Sequence, residues 1–233
     1  MKVRFKFQKT GNLRFIGHLD VMRYFQKLNR RAKTDIAYSG GFSPHQIMSF
    51  ATPLGTGLVS TAEYVDMELN DLHGTLQELV DRLNAVNVPD LRILDACILP
   101  EDAKNAMSLL AAADYEITFL KGEAVENPER YFTDLFRFYE AESVLAVKKT
   151  KNGEKEVDVK KQIRKMERRS DKLFLQVDTG SSSNLKPEFV LQVFTENTGR
   201  PYDPFEIAVE RTELYGEEEG ELKALIEYGL KES

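Results

Sequence analysis

Residues 2–8 read Lys2-Val3-Arg4-Phe5-Lys6-Phe7-Gln8, and the rest of the chain can be placed from them. Val3, Phe5 and Phe7 fall on one side of an extended chain, and Lys2, Arg4, Lys6 and Gln8 on the other. A period of two is that of a strand buried on one face, so the reading is a half-buried strand with a basic outer face. Thr10-Gly11-Asn12 is a turn. From Asp20 to Ala32 the period changes to that of a helix, with Val21, Phe25 and Leu28 inward. Asp20 or His18 stands near its N-terminus, where a carboxylate suits the helix dipole. Ile36–Tyr38 and Gln46–Phe50 read as extended and flank Ser39-Gly40-Gly41-Phe42-Ser43-Pro44. A second loop, Thr52-Pro53-Leu54-Gly55-Thr56-Gly57, precedes the alternating run Ala62–Leu69. A helix over Leu72–Val86 and a strand over Leu91–Leu99 complete the order strand, helix, strand, strand, helix, strand. That is the βαββαβ order of a ferredoxin-like unit.

The second half gives the same order with no visible sequence repeat. Strands are predicted at Tyr115–Leu120, Ser143–Lys149, Leu173–Val177 and Phe205–Leu214. Pro128–Tyr139, opened by Asn127 with Pro128 first, and Pro187–Glu196 are helices. A turn at Lys148–Lys155 surrounds Asn152-Gly153, and Glu156–Val159 is its hairpin partner; Val157–Arg169 also reads as one basic helix. The expected fold class is α+β, two tandem ferredoxin-like units with antiparallel sheets, over residues 1–104 and 112–215. Pro100–Ala113 is the linker. Residues 216–233 form an acidic tail with a short helix at Leu222–Leu230, expected to pack on the second unit.

The composition of the 233 residues, 42% hydrophobic and 30% charged, is that of a globular chain and excludes a disordered or fibrous one. No apolar run approaches the ~18 residues of a membrane span. The alternating start lacks an apolar signal core, so the expected location is the cytoplasm, with no membrane partner. One cysteine, Cys97, excludes an internal disulfide framework, an all-cysteine zinc site and a self-contained iron–sulfur cluster. In its apolar strand Cys97 reads as a small buried residue. There is no nucleophile elbow, no zincin motif and no kinase set.

Net charge is −6, unevenly spread. Residues 1–60 carry +8, 61–147 carry −12, 148–172 carry +6 and 173–233 carry −8. Basic segments on an acidic chain fit a polyanion-binding face, and equally fit segments that neutralise one another in the fold. Arg23, Lys27, Arg30, Arg31 and Lys33 make a basic helix surface. With Lys2, Arg4, Lys6 and Arg14 they could contact phosphates, while Phe15, Tyr38 and Phe42 offer stacking surfaces. Lys160, Lys161, Arg164, Lys165, Arg168 and Arg169 form a second candidate track. A solvated face with core aromatics accounts for the same residues.

The densest group of chemistry-bearing residues is Arg14, His18 and Asp20 together with Tyr38, Ser39, Gly41, Phe42, Pro44 and His45. In a ferredoxin-like unit the first helix and the loop after the second strand can approach each other. The two histidines and a carboxylate would then make an acid–base pair or an incomplete metal site. The structural alternative is that His18 caps the helix and His45 bonds backbone in a turn. Gly40, Gly41, Gly55 and Gly57 permit close approach of a ligand or simply serve tight turns.

Leu13-Arg14-Phe15-Ile16-Gly17-His18-Leu19-Asp20, then Ala37 through His45, then Pro53-Leu54-Gly55-Thr56-Gly57 with Ala62-Glu63-Tyr64, resembles the bacterial radical-SAM-linked protein family, a domain of unknown function. Val157-Asp158-Val159-Lys160 and Leu185-Lys186-Pro187-Glu188 extend the resemblance over roughly residues 1–215. The chain departs from the family pattern at Gly17 (usually Ser), Gly40 (usually Glu), Gln46 (commonly Pro), and Lys160 and Lys186 (usually Arg). The resemblance implies association with a radical S-adenosylmethionine protein encoded nearby or fused.

Three functional expectations follow. The first is a non-catalytic accessory module that presents RNA to such an enzyme, with no cofactor or metal of its own. Arg14, His18, Asp20, Tyr38 and His45 would shape a recognition pocket, and Arg23, Lys27, Arg30, Arg31, Lys160 and Arg164 would contact phosphate. The second is a metal-independent RNA endonuclease using His18 or His45 as base. The third is a small metal- or ligand-binding module at His18, Asp20 and His45.

Overall fold

The computed structural model describes residues 1–150 and 153–231. The elements in chain order are β1 (Lys2–Lys9), α1 (His18–Ala32), β2 (Asp35–Ile36), β3 (Met48–Phe50), β4 (Val59–Asp71), α2 (Leu76–Ala85), β5 (Ile93–Leu99) and α3 (Ala106–Leu109). Then come β6 (Leu110–Phe119), α4 (Glu123–Glu126), α5 (Pro128–Tyr139), β7 (Leu145–Thr150), β8 (Gly153–Asp158), β9 (Ile163–Arg169), β10 (Lys172–Asp178), α6 (Pro187–Asn197), β11 (Ile207–Glu218) and β12 (Glu221–Ala224). The fold is mixed α+β with mostly antiparallel pairing. Two compact units divide it: residues 1–111 with 211–233, and residues 112–210. Among the described residues no helix is long and apolar enough to cross a membrane.

In the first unit β1 is central. It pairs antiparallel with β4 (Phe5 opposite Val65) and with β5 (Phe5 opposite Ala96). β2 and β3 both pair antiparallel with β4. Val3, Phe5 and Phe7 point into one core with Val65, Met67 and Leu69 of β4, as their shared parity requires. α1 covers that face with Val21, Phe25 and Leu28, and α2 with Leu76, Leu79, Val80 and Leu83. Thr75 opens α2 with a capping box closed by Glu78.

The opposite face of β1 departs from expectation. Arg4 is fully buried, with Nε and Nη2 donating to the Asp66 carboxylate at 2.7 and 2.9 Å. Its Nη1 donates to the Leu225 carbonyl at 2.9 Å and its Nη2 to the Lys104 carbonyl at 3.3 Å, while the Ala106 amide donates to Asp66. Lys6 is paired with Glu213 at 2.6 Å, and the Lys2 ammonium donates to the Glu101 carbonyl. The basic face is therefore covered by the chain's own later segments. Arg4 and Lys6 are spent inside the fold.

The same contacts place the C-terminal stretch on the first unit, not the second. Its expected helix is instead a hairpin, β11 with β12, closed by Glu219 and Gly220, both at positive φ. Two consecutive left-handed residues are the signature of a two-residue hairpin turn. A 3-10 turn (Leu225–Tyr228) follows, and Leu230 bridges Ile98 of β5 in both directions. The expected linker is largely structured too: it contains α3, and β6 begins at Leu110.

In the second unit β10 lies between β6 and β9 (Leu175 opposite Tyr115 and Met166). α5 and α6 match their sequence reading at both ends to within a residue. The basic run, whose alternative reading is a helix over Val157–Arg169, contains strand β9, which Ser170 at positive φ turns back onto β10. β7 pairs with β8 in a separate two-stranded ribbon, as the hairpin reading has it, and so is not a strand of the larger sheet. The expected turn at Asn152-Gly153 falls partly outside the described residues.

Candidate functional site

α1 owes its position to Val21, Phe25, Leu28 and Ala32, which turn one stripe to the core. The opposite stripe carries Arg23, Lys27, Arg30 and Arg31, all exposed. Arg30 and Arg31 stand in the last turn, where the dipole favours cations, and Lys33 ends the helix in the left-handed region. Arg23 has one exposed contact, 3.4 Å to Asp20. Among the described residues Lys27, Arg30, Arg31 and Lys33 form no ion pair. The Arg31 guanidinium lies 5.3 Å from the Tyr24 ring centre.

The second basic run differs. Arg164 binds Asp178 at 2.7 Å, Lys165 and Arg169 bind Glu167 at 2.8 and 2.6 Å, Arg168 binds Glu129 at 2.8 Å, and Lys161 approaches Asp158 at 3.4 Å. Lys160 is half-buried in a groove with Phe136 and Tyr139. Local carboxylates thus neutralise most of this track.

Tyr38 to Gln46 forms a turned-back loop. Tyr38 and Gln46 form an antiparallel bridge, and the Ser39 amide donates to the His45 carbonyl at 2.9 Å. Ser39 Oγ lies 2.8 Å from His45 Nδ1 and accepts from the His45 amide. Gly41 at φ +96 makes the reversal. Pro44 is exposed, and Phe42 at the tip is fully so. Gln46 fixes the loop to α1: it donates to the Gln26 carbonyl and the Tyr38 hydroxyl, and accepts from Asn29. Gln26 is the i,i+3 neighbour of Arg23 and the i,i+4 neighbour of Arg30, so the loop meets α1 next to the basic stripe.

His18 has other neighbours. Its ring meets Phe50 edge-on at 5.4 Å and lines a small recess with Lys9, Phe50, Leu54 and Glu63. Behind it Arg211 grips Glu63 with contacts of 2.6 Å to both carboxylate oxygens. Lys9, buried, donates to the Ile16 carbonyl at 2.9 Å. Burial pushes the Lys9 pKa down, partly opposed by Glu63 and reinforced by Arg211. Burial likewise holds His18 below its ordinary value, with Glu63 opposing and Lys9 reinforcing. Two cations against one carboxylate leave this buried set positive. Arg14 is held by other partners: its carbonyl accepts from the Gly57 amide, and its guanidinium lies 4.8 Å from the exposed Phe15 ring.

The candidate residues therefore fall into two sets. Tyr38, Ser39, Phe42, Pro44 and His45 share the loop; His18 belongs to the Lys9–Glu63–Arg211 cluster. Among the described residues no hydrogen bond, ion pair or ring contact joins His18 to His45 or to Asp20, and no group of three His, Cys, Asp or Glu side chains could hold a metal ion. Lys9, Glu63 and Arg211 were missed by sequence reasoning. A signal existed for two of them, since Lys9 continues the parity of Phe5 and Phe7, and Glu63 that of Val65 and Met67.

Residues 2–187 match a family model described as an uncharacterized protein conserved in bacteria (DUF2344). The chain belongs to that family. The DUF2344 match covers α1, the Tyr38–Gln46 loop, the Lys9–Glu63 pair and the basic run on β9, and ends at the start of α6. No curated protein matches the chain.

Proposed function

We propose that this DUF2344 chain is an accessory recognition module that binds single-stranded RNA along α1. The observation that carries the reading is the contrast between the two basic segments: the α1 cations are largely unpaired beside exposed aromatic side chains, whereas the β9 cations are neutralised. RNA affinity rests on phosphate contacts by Lys and Arg, with bases stacked on aromatic faces. α1, at ~22 Å for 15 residues, offers phosphate contacts along its length, while Tyr38 and Phe42 offer stacking surfaces beside it. The positive cluster behind His18 adds to the attraction for a polyanion.

The partner is a separate radical S-adenosylmethionine enzyme, a reading that rests on the motif resemblance and on the single buried Cys97, which leaves cluster chemistry to another chain. The finer fold assignment is two ferredoxin-like units. It is supported by the strand order β5-β1-β4, with β2 and β3 beyond β4, and by the run β6-β10-β9.

Two variants test the RNA reading. Neutralising Arg23, Lys27, Arg30 and Arg31 together is expected to weaken binding of a single-stranded RNA at least tenfold. Neutralising Arg164, Arg168 and Arg169 is expected to leave it within about twofold. Equal losses from both, or loss only from the second, would overturn the assignment to α1.

A further inference from the structure

The second unit holds a cavity of about 150 Å³ whose lining includes Phe119, Tyr131, Leu191, Arg200, Tyr202 and Glu206. An apolar cavity of about 150 Å³ is large enough for one benzene ring, so this one admits a single side-chain-sized group. Its charge is one-sided. The Arg200 guanidinium is engaged through Nε by Glu123 at 2.6 Å and through Nη2 by Asp134 at 3.0 Å, its Nη1 being buried with no hydrogen-bond partner, and Lys121 is engaged by Asp203 at 2.8 Å. The Glu206 carboxylate has no ion pair or side-chain hydrogen bond among the described residues. It is held in place by its own backbone, whose carbonyl accepts from the Leu120 amide, and by close packing on Gly122 at φ +82. Three lining carboxylates, Glu123, Asp203 and Glu206, against one lining cation, Arg200, leave the cavity net negative.

Its walls are aromatic. Phe119 and Tyr131 meet edge-to-face at 5.2 Å, and the Arg200 guanidinium already lies 5.8 Å from the Tyr131 ring centre. The Tyr202 hydroxyl is buried with no hydrogen-bond partner. Burial, with Glu188 and Asp203 nearby, pushes its pKa up to about 12, so it stays a neutral hydroxyl that can accept a hydrogen bond.

We propose that this cavity binds an organic monocation of the alkylguanidinium or alkylammonium type, seated between the aromatic walls with its charge on Glu206. The ring faces attract a cation, the unpaired carboxylate supplies a charge-assisted hydrogen bond, and the net negative charge disfavours an anion. The site is independent of the RNA reading, which rests on the first unit. The cation can arrive as a free amine or as an arginine or lysine side chain of a peptide; the chemistry at the cavity is the same.

The test uses the full chain, with methyl resonances of Leu191 and Ile207 followed as ligand is added. Butylguanidinium is expected to shift both saturably, and butylurea, nearly the same in shape but neutral, to bind at least tenfold more weakly. Glu206→Gln, at a partly exposed position, is expected to weaken butylguanidinium at least tenfold while leaving the amide spectrum otherwise unchanged. An acetylated Gly-Arg-Gly amide binding tighter than butylguanidinium assigns the site to a peptide; the reverse order assigns it to a free amine. Equal response to butylguanidinium and butylurea, no saturable shift with either, or unchanged binding in Glu206→Gln overturns the proposal.

Discussion

Replacing Asp66 by Ala strands the Arg4 guanidinium in the interior of the first unit. The carboxylate accepts three hydrogen bonds, at 2.7 and 2.9 Å from Arg4 and at 2.8 Å from the Ala106 amide. Arg4 would keep only the Leu225 and Lys104 carbonyls, in a site with no solvent access. Removing one partner of a buried pair costs about 3–5 kcal/mol. Two compact units need not unfold together, so a single melting temperature is a poor readout. Hydrogen exchange of the Ile98 and Leu230 amides, each bonded to the other residue's carbonyl, reports the first unit and its C-terminal bridge directly. Their protection is expected to fall by about two to three and a half orders of magnitude, at 1.4 kcal/mol per factor of ten. Arg4→Lys keeps the charge but not the fork, and is expected to retain only part of the wild-type protection. A fall of less than about tenfold for Asp66→Ala, or wild-type protection in Arg4→Lys, would refute the view that this pair fastens the later segments to the sheet.

His18 is expected to titrate below 6.5 by NMR, lower still in Glu63→Gln and higher in Lys9→Met; titration above 6.5 would contradict its burial. Because the unfolded ring takes up its proton first as pH falls through 6.5, the His18 contribution to stability declines below that pH, and His18→Phe should flatten this part of the profile. Burial raises the Cys97 thiol to about 11, so a thiol reagent at pH 8 should label the folded chain at least a hundredfold more slowly than the denatured one. Gly229→Ala places a Cβ against Cys97 Sγ and the Ile98 carbonyl, and is expected to release the Leu230–Ile98 bridge and speed that labelling; unchanged labelling would contradict the packing.

Periodicity made the first unit legible. The strict alternation of residues 2–8 and the 3.6-residue stripe of α1 each report one buried face, and both elements stand where that pattern puts them. The same reasoning failed on the outer face of β1. A Lys/Arg-bearing face reads as solvated unless its partners are known, and those of Arg4 and Lys6 lie 62 and 207 residues away. β9 was obscured because exposed edge strands carry little apolar alternation, and its cations satisfied a helical reading equally well. The Glu219-Gly220 hairpin was obscured by the acidic composition of the tail. At the candidate site the loop residues 38–45 and the α1 cations were legible. The Lys9–Glu63–Arg211 cluster required long-range pairing to appear.

The central claim is that the α1 cations contact RNA phosphates. The most direct measurement is the salt dependence of single-stranded RNA affinity for the wild-type chain and for the variant neutralised at Arg23, Lys27, Arg30 and Arg31. Four phosphate contacts contribute about −2.8 to the slope of log affinity against log salt. The account predicts that the variant's slope is shallower by about that amount. Equal slopes, or no binding by the wild-type chain at low salt, would contradict it.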